Sequence, residues 1–113
     1  MPILTFSQAM TANQRGLNIF SGWQYEFAPY PSSVKLLIRA TTAGVQMALY
    51  SGSETIQESS IVQSGGTAGV TPSELNTAPQ IWIAAGGDRL KTKCDEILAG
   101  TPTLDAIIFL NHL

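Results

Sequence analysis

Between residues 34 and 40, Val34, Leu36, Ile38 and Ala40 fall on one parity and Lys35, Leu37 and Arg39 on the other. A period of two is the mark of a strand with one buried face. The pattern recurs along the chain. Trp23, Tyr25 and Phe27 alternate with Gln24 and Glu26 until Pro29 and Pro31 stop the run, and aromatic residues favour strands. After a turn at 41–44, Val45, Met47 and Leu49 share one side of a strand over 45–50. A turn cluster, Ser51-Gly52-Ser53-Glu54, leads to a weaker strand over 55–63, where Ile56, Ile61 and Val62 break alternation as a bulge would.

Residues 64–79 hold too many Gly, Pro and small polar residues for regular structure, and a connector of that length usually has a function of its own. Ile81, Trp82 and Ile83 centre a strand over 80–85, and Gly86-Gly87-Asp88 turns the chain into another over 89–98. There Leu90, Cys94 and Leu98 share one parity; Arg89, Lys91, Lys93 and Asp95 share the other. The last strand, 104–110, sets Leu104, Ala106, Ile108 and Leu110 on one face and Ile107 and Phe109 on the other. A strand apolar on both faces lies centrally between layers or at a subunit contact.

The start of the chain fits neither period. Phe6, Met10, Leu17, Ile19 and Phe20 are scattered among Gln, Asn, Thr and Ser, and Gly16 and Asn18 oppose a long helix. This predicts an irregular N-terminal arm over 1–20 that packs on a neighbour, with Ser7 capping a short turn; an edge strand of the same domain is the plainer alternative. About seven strands separated by Gly/Pro turns, with no convincing helix and no repeat, predict an all-β chain. The expected architecture is a single β-sandwich domain over 21–113, a jelly roll or an immunoglobulin-like arrangement, with the jelly roll preferred and the Cys and Trp spacing of true immunoglobulin domains missing.

Composition sharpens this picture. The chain has 113 residues, one domain's worth, but only 12% are charged, against roughly 25% for an average soluble domain. Ser, Thr, Asn and Gln fill 32 positions instead. Such a surface is neutral and polar. Six basic residues and a net charge of −2 do not suit a dedicated nucleic-acid binder. No apolar run is long enough to span a membrane, and the sequence predicts no signal peptide at Met1-Pro2-Ile3-Leu4-Thr5. A lone Cys94, no zinc-ligand spacing and no glycosylation sequon point to synthesis in a reducing cytoplasm.

Candidate chemistry is sparse. The run Gly65-Gly66-Thr67-Ala68-Gly69 lacks the spacing of a phosphate loop and is followed by no helix. Cys94 and His112 are the one conceivable nucleophile and base, yet a Cys in mid-strand is usually a buried hydrophobe. Asp88, Asp95, Glu96 and Asp105 offer carboxylates without a cleft to pair them in. The expectation is no enzyme, no cofactor and no metal. Arg89, Lys91 and Lys93 form one basic stripe, either a guarded, solvated strand face or an electrostatic contact for an acidic partner such as a neighbouring subunit's Glu54 and Glu58. Trp23, Tyr25, Tyr30, Tyr50 and Trp82 are candidates for core packing, subunit contact or a sugar-binding surface.

Four segments carry a resemblance: 11–16 (Thr-Ala-Asn-Gln-Arg-Gly), 22–27 (Gly-Trp-Gln-Tyr-Glu-Phe), 50–58 (Tyr-Ser-Gly-Ser-Glu-Thr-Ile-Gln-Glu) and 64–72 (Ser-Gly-Gly-Thr-Ala-Gly-Val-Thr-Pro). Through them the chain resembles small bacteriophage virion structural proteins that form or decorate a capsid. The resemblance implies an all-β subunit located in the virion, partnered by copies of itself and other virion proteins, without catalytic residues. Phe6, Met10, Leu17, Phe20, Ile107, Phe109 and Leu113 are the expected subunit contacts. A host-attachment or carbohydrate-binding sandwich is the alternative.

Overall fold

The computed structural model describes residues 3–65, 69, 71–72, 77 and 79–112. The described residues form seven strands: β1 (Ile3–Ala9), β2 (Ser32–Ala40), β3 (Val45–Ser51), β4 (Glu54–Ile61), β5 (Gln80–Ala84), β6 (Leu90–Glu96) and β7 (Thr103–His112). They build two antiparallel sheets, one ordered β1-β7-β2-β5 and the other β4-β3-β6. The all-β sandwich is therefore observed.

Alternation decides which side chains meet between the sheets. Val34, Leu36, Ile38 and Ala40 of β2 and Leu104, Ala106, Ile108 and Leu110 of β7 turn inward, and Val45, Met47 and Leu49 of β3 meet them from the other layer. The apolar strand β7 is central, flanked by β1 and β2. Two register shifts between β3 and β4 match the broken alternation around Ile56. At the β3–β4 turn Gly52 adopts φ 62°, and a Cβ there would lie 2.7 Å from the Asp88 carboxylate. Glycine alone fits both demands.

The N-terminal expectation is corrected. Residues 3–9 are the edge strand β1, in register with β7 from Ile3 opposite Phe109 to Ala9 opposite Thr103. Met10, Ile19 and Phe20 are buried in the core. Among the described residues, 3–20 thus share a sheet and a core with the rest of the chain.

The aromatic strand expected at 23–27 is also absent. The chain turns there, through Ser21 N–H to Asn18 O, Trp23 N–H to Phe20 O and Glu26 N–H to Trp23 O. Residues 14–28 instead run antiparallel along the free edge of β6. Glu96 N–H donates to Gln14 O, Leu17 and Cys94 exchange both backbone bonds, and Leu90 N–H donates to Glu26 O. Phe27 bridges Arg89. This interrupted ribbon satisfies the β6 edge, which would otherwise invite pairing with another chain.

Candidate functional site

Two surfaces and one internal hub gather the chemistry of the described chain. The first surface is the outer face of the four-stranded sheet. Cross-strand register sets Ile81, Lys35, Phe109 and Ile3 side by side in one row, and Ile83, Ser33 and Asn111 in the next. Ile3, Ile81 and Ile83 are 50%, 62% and 66% exposed, and Phe109 is half-buried beneath the Lys35 ammonium, 5.8 Å from its ring centre. Further along the same face, Leu37 and Asp105 are buried. Asp105 accepts bonds there from Ser7 Oγ at 2.6 Å and from Gly69 N–H at 3.3 Å, so part of the 64–79 connector lies over that end. The other end is apolar and uncovered by any described residue.

The second surface lies on the outer face of the three-stranded sheet. Tyr50 and Lys91 are cross-strand partners, as are Ala48 and Lys93. Tyr50, Lys91 and Lys93, with Gly16, Gly52 and Thr92, line a shallow pocket of about 380 Å³. The Lys91 ammonium stands 5.9 Å from the Tyr50 ring centre. Arg89, third of the predicted basic stripe, is already neutralised: its Nε donates to Glu26 Oε2 at 2.7 Å, and its guanidinium lies over Phe27.

The hub is Glu96. Strand parity turns it inward beside Thr92 and Cys94, and it is fully buried. Its Oε1 accepts Asn13 N–H at 3.0 Å and its Oε2 accepts Leu98 N–H at 3.1 Å; its backbone oxygen accepts the Arg15 guanidinium. Burial alone would raise the carboxyl's pKa. Bonds from the backbone of Asn13, Leu98, Gly100 and Ala99 outweigh it and hold the group below its ordinary value. One carboxylate thereby fixes the start of the β6-covering ribbon and the turn after β6.

The expected contact residues divide. Ile107 and Phe109 are half-buried on the outer face and available, whereas Met10 and Phe20 are buried and Phe6 and Leu17 pack against the core. Met10 and Phe20 are thus core side chains rather than exposed ones, while Phe6 and Leu17 pack against the core and remain partly exposed. Leu113 lies outside the described residues, as do Gly66, Thr67 and Ala68 of the glycine run.

Trp82 is 6% exposed and turns into the core, so it presents no ring to a sugar. Trp23 and Tyr25 pack edge to face, 5.4 Å between ring centres, and Tyr30 lies 4.4 Å from His112. Cys94 and His112 belong to different sheets. Burial pushes the Cys94 thiol up to about 12, which leaves it un-ionised at neutral pH and inert as a nucleophile. Among the described residues no group of three or more His, Cys, Asp or Glu could hold a metal ion, and no helix is long and apolar enough to cross a membrane.

Sequence reasoning missed Glu26 as the partner of Arg89 and Glu96 as the hub. The second was signalled: Leu90, Thr92, Cys94 and Glu96 share the inward parity, and a carboxylate at such a position needs several donors. No protein-family model matches this chain, and no curated protein matches it in sequence.

Proposed function

We propose that this chain is a non-enzymatic structural subunit of a bacteriophage virion, made in the host cytoplasm, which forms or decorates the capsid by packing against copies of itself and other virion proteins. The observation that carries the reading is the apolar outer face around Ile3, Ile81, Ile83 and Phe109. Exposed isoleucines at both edges of one sheet face, with Phe109 between them, support a contact surface there. The strand order supports it. If the 14–28 ribbon is counted as the strand beside β6, the sheets become β1-β7-β2-β5 and ribbon-β6-β3-β4. Two four-stranded sheets of this kind make a jelly roll, an architecture used by viral capsid and lectin domains. The phage origin rests on the four resembling segments, since fold alone does not define function.

The test is sedimentation of the purified chain over a wide concentration range, beside Ile81→Lys/Ile83→Lys, with virions assayed for the protein. Assembly of the native chain and at least about tenfold weaker association of the variant are expected, because two charges would be desolvated in the contact. A native chain that stays monomeric and is missing from virions overturns the reading. For the carbohydrate-binding alternative, Tyr50, a half-buried ring lining the Lys91–Lys93 pocket, is the first aromatic to test, and Trp82 is excluded by burial. Glycan-array binding lost in Tyr50→Ala, with folding intact, would favour it.

A further inference from the structure

Few charged groups in the described chain are left without a partner, and their positions are informative. Arg89 is paired with Glu26. Arg15 bonds backbone oxygens, and Lys35 has its own interactions. Arg39, half-buried in the four-stranded sheet, stands in register opposite Asp105, with no hydrogen-bond partner at its Nε. Asp88 accepts from Ser51 Oγ and Ala85 N–H, Asp95 from Gly16 N–H, and Glu96 and Asp105 from the donors named above. Glu54, Glu58, Lys91 and Lys93 are exposed and make no ion pair or side-chain hydrogen bond among the described residues. All four are on the three-stranded sheet. The glutamates lie on the edge strand β4 and the lysines on β6 at the other side.

We infer that the Tyr50–Lys91–Lys93 pocket receives the β4 edge of a second copy of this chain, with carboxylates of Glu54 and Glu58 facing the lysine ammoniums. The inference rests on the structural-subunit reading above and names a second contact surface within it. Charge complementarity selects the occupant, because the chain carries the pocket's counter-charge on its own opposite edge. Lys91 and Lys93 lie roughly 7 Å apart along β6 and Glu54 and Glu58 at most roughly 13 Å apart along β4, a difference within the reach of these four long, exposed side chains.

In-plane strand pairing at β6 is blocked by the 14–28 ribbon, so the contact is made by side chains over the sheet's outer face. The Tyr50 ring gives the pocket an apolar floor beside the ammonium of Lys91. Pocket and edge are different surfaces of one chain. Their union is therefore head to tail, and repeats into a ring or an open row rather than closing as a dimer.

Charge reversal tests the contact. Lys91→Glu/Lys93→Glu carries an acidic pocket and an acidic edge; Glu54→Lys/Glu58→Lys carries a basic pocket and a basic edge. Each variant alone should lose the head-to-tail association, with the apparent Kd raised about tenfold or more. An equimolar mixture should regain it, since each pocket then meets an edge of opposite sign. Sedimentation velocity at low salt reads the outcome, and far-UV circular dichroism confirms that both variants fold.

If both variants associate like the native chain, or the mixture restores nothing, the inference is overturned. Unchanged association with loss of acidic-oligosaccharide binding in Lys91→Glu/Lys93→Glu would assign the pocket to a saccharide and overturn it too. The parent reading fails separately, by a native chain that is monomeric throughout.

Discussion

At the scale of single residues, Glu96 shows how a charge-poor chain uses a buried charge. Its carboxylate is surrounded by backbone N–H donors rather than by a cation, an arrangement that favours the ionised form despite burial. The consequence for stability has a definite sign. Because the folded chain holds this pKa below its ordinary value of 4.5, the contribution of Glu96 is complete above that value and is lost as pH falls through the folded pKa. Denaturant unfolding followed from about pH 7 to about pH 3 should show stability falling on the acid side. Glu96→Gln should be less stable at neutral pH and should show a shallower acid fall, since an amide neither titrates nor accepts as strongly. Equal acid slopes in the two proteins would show that Glu96 is not the responsible group. Cys94, two positions away on the same inward parity, illustrates the opposite outcome: burial, helped by the neighbouring Asp95 charge, outweighs the Thr92 hydroxyl at 3.8 Å and the thiol stays protonated.

At the scale of elements, the difference between β1 with the 14–28 ribbon and the expected free arm decides what the N-terminal residues are for. Phe20 is fully buried and stacks near Trp23, with ring centres 6.3 Å apart. Phe20→Ala should cost about 3–5 kcal/mol in a denaturant titration, the range for emptying a buried aromatic site. A cost below about 1 kcal/mol would return the segment to the status of a detachable arm. Strands β2, β3 and β7 were legible in the sequence because each keeps one parity apolar where it is buried against the core. β1 was not: it is a sheet edge whose outward residues are solvated, and adjacent Ile3 and Leu4 erase the contrast between its faces. The run Trp23-Gln-Tyr-Glu-Phe27 misled in the other direction. Its alternation is real, but three turn bonds and the pull of Phe20 into the core override strand propensity. The basic stripe was readable from parity alone. That Glu26 removes Arg89 from it was not, because this depends on which segment comes to lie beside β6, 63 positions from one residue to the other.

At the scale of the whole molecule, the low charge fraction and the two outer faces predict a specific response to salt. One end of the outer face of the four-stranded sheet carries Ile3, Ile81, Ile83 and Phe109; such a patch meeting the same patch on a second copy is self-complementary and closes as a symmetric pair. The pocket and the β4 edge are complementary to each other and do not close. Salt acts on these contacts in opposite directions. Raising ionic strength from about 0.01 M to about 1 M shortens the screening length from roughly 30 Å to 3 Å and weakens exposed charge pairing, while sulfate strengthens apolar burial. The native chain should therefore form larger, open or ring-like assemblies at low salt and reduce to a closed pair in concentrated sulfate. Lys91→Glu/Lys93→Glu should remain at the pair in both conditions, and Ile81→Lys/Ile83→Lys should associate only at low salt. Sedimentation of the three proteins in the two buffers gives six masses, and the pattern separates the two surfaces. If the native chain grew larger in sulfate than at low salt, the apolar face would be the propagating contact, and the charged edges of the three-stranded sheet would serve only to keep that sheet in water.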